Sequence, residues 1–302
     1  MKNPAHVTIS TYHNRKIIYN NSKPLPLSFQ LVKLQSTSLA NKKPARPRHQ
    51  NLPKMPLPLP PTRPVPPPAS PSSSVEIRPM IWSDAKRTAE LAQVAYWDAP
   101  LSDLITPHRV PYPADNALWF ERRIKNRMVS PRNRGFVAVG DGETVGYMQC
   151  VRLGDDEGAL QVAKEKKKWW SGLVEWGYGI YMKCAAWAFP DRSESAEGMA
   201  EFIKTGVLEN EKHWKDREDR KNRWYVQSVV VAEQWRGRGV GKKLMAWVLE
   251  QAQKEGVVVS LEASMMGERL YRSIGFDLLD RFIMKIDEND ESEGGIMMWS
   301  PK

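Results

Sequence analysis

Residues 224–252, WYVQSVVVAEQWRGRGVGKKLMAWVLEQA, constrain the fold more than any other stretch of the 302-residue chain. An apolar run suited to a buried strand enters a glycine loop, and an amphipathic helix spanning about Val240 to Glu255 follows at once. A strand that passes straight into a helix calls for an α/β architecture in which the helix packs back on the sheet. Helix N-termini expose N–H groups without intrahelical partners and carry partial positive charge. Gly237, Gly239 and Gly241 strip the loop of Cβ atoms, and Arg236 and Arg238 add positive charge. A pyrophosphate is the natural occupant. The nucleotide motifs fit poorly. Gly241-Lys242-Lys243 lacks the Ser or Thr of a P-loop, and the GxGxG spacing differs from the GxGxxG dinucleotide fingerprint.

Around this unit the chain alternates between strand and helix patterns. VEIRPM (75–80) alternates as a strand, residues 83–97 form a helix capped by Ser83 or Asp84, and residues 113–128 form a second helix. Asp141-Gly142, between two apolar runs in 135–153, predicts a hairpin. From about 156 to 223 the pattern blurs into an insertion that, with Trp224, holds Trp169, Trp170, Trp176, Trp187 and Trp214. These tryptophans are expected in the core, with the lining of an acceptor pocket as a second role. Strands follow at 224–231, 257–263, 276–287 and 296–300, with a short helix near 266–273.

The net charge of +10 points to nucleic acid until it is mapped. Residues 1–75 contain no acid and eleven Lys or Arg, which leaves 34 bases against 35 acids in the rest. The basicity therefore belongs to a proline-rich segment, residues 1–74, expected to be disordered. No nucleic-acid partner is expected for the folded part, residues 75–302. Pro58, Pro61 and Arg63 fit a PxxPxR peptide for an SH3-type groove, although a solvated linker is the plainer reading. Cys150 and Cys184 form neither a disulfide framework nor a metal-ligand spacing, so no metal is expected and a reducing, cytoplasmic compartment fits. The acid-free start leaves mitochondrial import as an alternative. The longest apolar stretch, 173–190, is interrupted by Glu175 and Lys183, and no membrane partner is expected.

QWRGRGVGKKLM (234–245) resembles motif A of the GCN5-related N-acetyltransferase (GNAT) superfamily, with Arg236, Gly239 and Gly241 filling [QR]xxGx[GA]. LEASMMGERLYRSIGF (261–276) resembles motif B, in the family's order and at its distance. The texture is similar to fungal small-molecule acetyltransferases. The resemblance covers roughly 75–300 and is strong over 224–285. It implies a GNAT fold: a mixed, mostly antiparallel sheet with helices on both faces and a splayed pair of central parallel strands, here 224–231 and 257–263. It also implies acetyl-CoA as co-substrate. The main chain of Val229, Val230 and Val231 would meet the acetyl-pantetheine end. Arg236, Gly237, Arg238, Gly239, Val240, Gly241 and Lys242 would hold the pyrophosphate. Ser264 stands where many members have an Asn that contacts pantetheine or caps the last helix. Tyr271 matches the tyrosine that often protonates the departing thiolate.

The implied reaction is acetyl transfer to an amine, of a small molecule, by direct attack in a ternary complex. A strand N–H near Val230 or Val231 would stabilise the oxyanion. An amine must first lose its proton. Gln227 and Ser228 are not bases at neutral pH, which leaves Glu262, His213, Glu76, Asp98 or a water chain. Each residue also has a plainer role: Tyr271 as a core aromatic, His213 on a solvated mixed-charge helix, and the arginines in a charged turn. Two alternatives to a small-molecule enzyme are acetylation of a protein lysine or N-terminus, and a non-catalytic CoA-binding module.

Overall fold

The computed structural model describes residues 74–166, 171–282 and 294–302. The expected tail, Trp169, Trp170 and the outer part of the 276–287 strand lie outside the described residues. The sheet has seven strands: β1 (Val75–Pro79), β2 (Asn133–Gly140), β3 (Glu143–Leu153), β4 (Arg223–Val231), β5 (Val258–Ala263), β6 (Asp277–Arg281) and β7 (Gly295–Trp299). Their order is β1-β2-β3-β4-β5-β7-β6. Every neighbouring pair is antiparallel except β4–β5. The Asp141-Gly142 hairpin forms as expected, with φ of +52° and +78° at its two turn residues.

One face carries α1 (Asp84–Tyr96) and α3 (Pro113–Val129), joined through the short α2 (Pro100–Ile105). The opposite face carries α7 (Val240–Glu255). Leu244, Met245, Val248 and Ala252 of α7 are buried at helical spacing, and the Trp247 ring lies 5.4 Å from Trp224 of β4. Gly256, at φ +65°, ends the helix in the left-handed conformation a C-terminal glycine supplies. α1 starts without a side-chain cap from Ser83. Asp84 instead accepts the Ile81 N–H at 2.8 Å and pairs with Arg78, which fixes the entry from β1 into the helix.

The segment between β3 and β4 folds as α4 (Glu157–Lys166), α5 (Ser171–Ala188), α6 (Ala196–Asn210) and a π-helical turn, Glu211–Lys215. Arg152, fully buried at the end of β3, anchors its base. Its guanidinium pairs with Asp156 and with Glu255 of α7, and Glu255 accepts the Trp224 indole N–H at 3.0 Å. A buried charge is tolerable only when paired in this way. The tryptophans of the segment divide. Trp214 and Trp224 are core residues as expected, whereas Trp176 and Trp187 are 67% and 84% exposed. The reason is α5 itself, which is apolar around its circumference and, among its described side chains, buries only Met182.

Candidate active site

β4 and β5 pair only from Arg223–Val258 to Val226–Leu261. Beyond that point β4 continues to Val231 and β5 to Ala263, so the two strands part. The Ala232 N–H donates to the Val145 carbonyl of the β3 strand at 2.8 Å. Gly146–Val231 is therefore a non-hydrogen-bonded pair, and the N–H and C=O of Val231 face away from β3, into the gap. Val229, two residues back, faces the same way. Val230, expected as an alternative oxyanion donor, has its backbone groups committed to the β3 ladder opposite Tyr147 and its side chain in the core. The Val231 carbonyl accepts Arg236 Nε at 3.3 Å.

A β-bulge shapes the chemistry beside this gap. Gln149 opposes Ser228 while Cys150 opposes Val226, so Gln227 is an extra residue on β4. Without it, Tyr225 and Ser228 would point to opposite faces, because side chains alternate along a strand. With it, Ser228 Oγ meets the Tyr147 hydroxyl at 2.9 Å and the Tyr96 hydroxyl at 3.2 Å, on the side of α1 where Tyr225 also lies. Gln227 itself accepts the Asn133 amide at 2.9 Å.

Glu262 and Tyr225 face each other across the two parting strands, close enough for each to act on the other's proton. The Glu262 side chain is exposed to solvent where the strands part, although protein atoms crowd around it. Burial pushes its pKa up to about 7, and the negative field of Glu209 adds to the rise. The Tyr225 hydroxyl and the Arg223 charge act the other way. Arg223 stacks on Trp214 at 4.6 Å, and burial lowers its pKa to about 10.

Tyr271 lies in α8 (Met265–Arg272), buried against Phe276 at 5.7 Å between ring centres. Gly267, one turn earlier, leaves room for the ring: a Cβ there would stand 3.2 Å from it. Burial, reinforced by Tyr96, raises the Tyr271 pKa above the usual phenol value, so the hydroxyl stays protonated. Among the described residues that hydroxyl has no hydrogen-bond partner, and the hydroxyl of Tyr96 is near enough to act on its proton. Ser264 caps α8, accepting the Gly267 N–H at 3.2 Å, which is the capping half of the role expected of its position.

The glycine loop is exposed from Arg236 to Gly239. Gly237 and Gly239 have φ of +75° and +77°, with open space where a Cβ would stand. Gly239 is the N-cap of α7 and has no side chain to cap it, so the amides of Val240, Gly241 and Lys242 are left for another acceptor. Trp235 is buried under the loop, against Gly140, and the Arg238 guanidinium stacks on its ring at 5.3 Å. Gly241 packs against Leu270 of α8, where a Cβ would come within 2.9 Å.

The other base candidates do not join this cluster. His213 sits in the π-helical turn, 3.4 Å from Asp280 of β6, and its pKa is lowered by burial and by Lys212. Its electrostatic partners are Lys212, Asp280, Arg217 and Arg220, and none belongs to the gap. Glu76 is exposed on β1, which β2 and β3 separate from β4. Asp98 is exposed beyond the end of α1. The hydroxyl cluster of Tyr96, Tyr147 and Ser228 escapes a reading of the sequence, because the bulge that assembles it leaves no sequence signal.

Residues 197–276 match the acetyltransferase (GNAT) family. This span contains α6, β4, the glycine loop, α7, β5 and α8. Among solved structures, the chain is similar to the histone acetyltransferase HPA2 and related acetyltransferase from Corynebacterium glutamicum, at 18% identity over 76% of this chain and 97% of that one, with a TM-score of 0.47. It is similar to PaiA N-acetyltransferase from Thermoplasma acidophilum in complex with coenzyme A, at 12% identity over 75% and 99% of the two chains, with a TM-score of 0.40. It is also similar to YncA from Salmonella typhimurium with its cofactor acetyl-CoA, at 14% identity over 76% and 95%, with a TM-score of 0.40. No curated protein matches the chain.

Proposed function

We propose that this chain, which carries an acetyltransferase domain of the GNAT family, moves an acetyl group from acetyl-CoA to the amine of a small molecule by direct attack with both substrates bound. The observation that carries this reading is geometric: β4 and β5 part beside the uncapped, glycine-rich start of α7, and Glu262 stands where they part.

The residues fit acetyl-CoA on two counts. The gap-facing amide and carbonyl groups of Val229 and Val231 suit a ligand that pairs as an extra strand. The uncapped start of α7 and the Cβ-free Gly237 and Gly239 suit a pyrophosphate. Acetyl-CoA, when bound, supplies the acetyl group as a reactive thioester. Glu262 takes a proton from the acceptor ammonium, and a base with a pKa near the working pH does this most efficiently. The Val231 N–H polarises a carbonyl placed in the gap. Tyr271 is buried and protonated, and it offers its hydroxyl proton to a departing sulfur. The small-molecule acceptor is supported by the insertion, whose Glu194 holds the Trp119 indole of α3 at 2.6 Å and so brings the added segment against the helix on the Tyr147 side.

The test is a panel of small amines against peptides with free N-termini or lysines, read by CoA thiol release. Turnover of small amines is expected. Turnover confined to peptides overturns the acceptor class, and acetyl-CoA binding with no turnover on either set overturns the catalytic reading.

A further inference from the structure

α3 presents Trp119, Arg123 and Arg127 at four-residue spacing, which puts them in one stripe along the helix. The Arg123 guanidinium stacks on the Trp119 ring at 4.5 Å, and the Trp119 indole N–H is held by Glu194 of the insertion at 2.6 Å. Arg127 reaches Gln149 of β3 at 3.3 Å. The stripe lies near Tyr147 and near Tyr225, the neighbour of the base, since both arginines act on the charge of each. Among the described residues, no carboxylate lies within ion-pair distance of Arg123 or Arg127, although most other partly buried arginines here have one.

Two guanidinium groups one turn apart repel each other, and burial makes the repulsion worse. The Arg123 pKa is depressed to about 10, first by desolvation and then by Arg127, and Glu194 only partly offsets this. A fold does not ordinarily hold such a pair without an anion to neutralise it. Arginine presents a planar fork that matches carboxylate or phosphate oxygens two at a time, and the Trp119 stack fixes the plane of one fork in advance. Tyr225 links this positive stripe to Glu262, since the charges of Arg127 and of Glu262 both act on it.

Resting on the acetyl-transfer reading above, we propose that the acceptor is an amine that also carries an anionic oxygen group, a carboxylate or a phosphate, with Arg123 and Arg127 binding the anion while Glu262 receives the amine. The arrangement selects zwitterions. A diamine would set its second cation against the arginines, and a simple alkylammonium, carrying no anion, would leave them uncompensated.

The experiment uses matched acceptor pairs with the full chain: γ-aminobutyrate against butylamine, and phosphoethanolamine against ethanolamine. The wild type should turn over at least one anion-bearing member with kcat/KM at least tenfold above its partner that lacks the anion, and the pair that shows the gap identifies carboxylate or phosphate. Arg123→Gln and Arg127→Gln should each raise KM for the anion-bearing member at least tenfold and leave the partner that lacks the anion within about threefold. CoA affinity should stay unchanged. A preference for amines that lack the anion overturns the proposal, as does an equal effect of the substitutions on both members of a pair. Loss of CoA binding in Arg123→Gln also overturns it, because the stripe would then belong to the cofactor. Calorimetry with the products N-acetyl-γ-aminobutyrate and N-acetyl-phosphoethanolamine separates this idea from acetyl transfer itself. Binding that Arg123→Gln abolishes, with no turnover of any amine, keeps the anion site and sinks the transfer reading. Turnover without anion preference does the reverse.

Discussion

Glu262 is the residue whose proton sets the working range. With its pKa pushed to about 7, kcat/KM should rise with pH through that value, since only the ionised form is a base. Glu262→Gln should erase the ascending limb and lower kcat/KM by about 10²–10⁴-fold, the usual contribution of a general base. A retained limb in the variant would assign the base elsewhere. The same shift has a sign for stability. The folded pKa lies above the ordinary glutamate value of 4.5, so the contribution of Glu262 to folding is fully present below that value and is lost as pH rises through about 7. Glu262→Gln should therefore melt above wild type at pH 8 and level with it at pH 4.5, as followed by thermal scans. Tyr271→Phe removes one oxygen with no described hydrogen bond, so its melting temperature should hardly move. A thiolate is a tolerable leaving group, so kcat should fall by about 10²-fold, the low end of acid catalysis. Because the phenol pKa is raised, no alkaline limb from Tyr271 should appear between pH 6 and 9. Full kcat in the variant would make Tyr271 a packing residue. Both residues were legible in the sequence as candidates. What the sequence withheld was the place that distinguishes Glu262 from Glu76, Asp98 and His213, because the parting of β4 and β5 is made by strands far apart in the chain.

At the scale of elements, the strand–loop–helix unit was legible because its signals are local. Periodicity, three glycines and a C-terminal Gly256 mark α7 without help from the rest of the fold. Two features were not legible. α2 is six residues long, too short for a periodic pattern, and the bulge at Gln227 is a matter of pairing with β3 rather than of composition. The loop carries its own prediction. Gly239 caps α7 at φ +77°, so Gly239→Val forces a β-branched residue into a left-handed conformation and sets its side chain over the open amides. The strain should lower stability by about 1–2 kcal/mol. Acetyl-CoA affinity should fall at least tenfold, about 1.4 kcal/mol. Calorimetry on folded protein decides: CoA binding at wild-type strength would remove the loop from the cofactor site.

The whole molecule is one sheet with a weak seam. β1 to β4 form one antiparallel half, and β5, β7 and β6 form the other. Four residue pairs, Arg223–Val258 to Val226–Leu261, join them, and α7 covers the join from one face. Residues 1–75 add no acid and much proline, a composition that buries little apolar surface, so deleting 1–70 should leave kcat within a few-fold of wild type. A ligand lying along the seam would hold both halves at once, pairing with Val229 and Val231 on one side while the start of α7 holds its charged end. It binds the folded chain alone, so at a hundred times its Kd it should add about 2.7 kcal/mol. For a folded unit of this size that corresponds to a rise in Tm of about 5–10 °C. Because the ligand spans the join, the rise should come as a single sharper transition, and hydrogen exchange should slow in β5 as well as in β4. Slowing confined to the α7 loop, or a ligand effect on Tm that Gly239→Val leaves intact, would mean that the ligand does not bridge the parted strands.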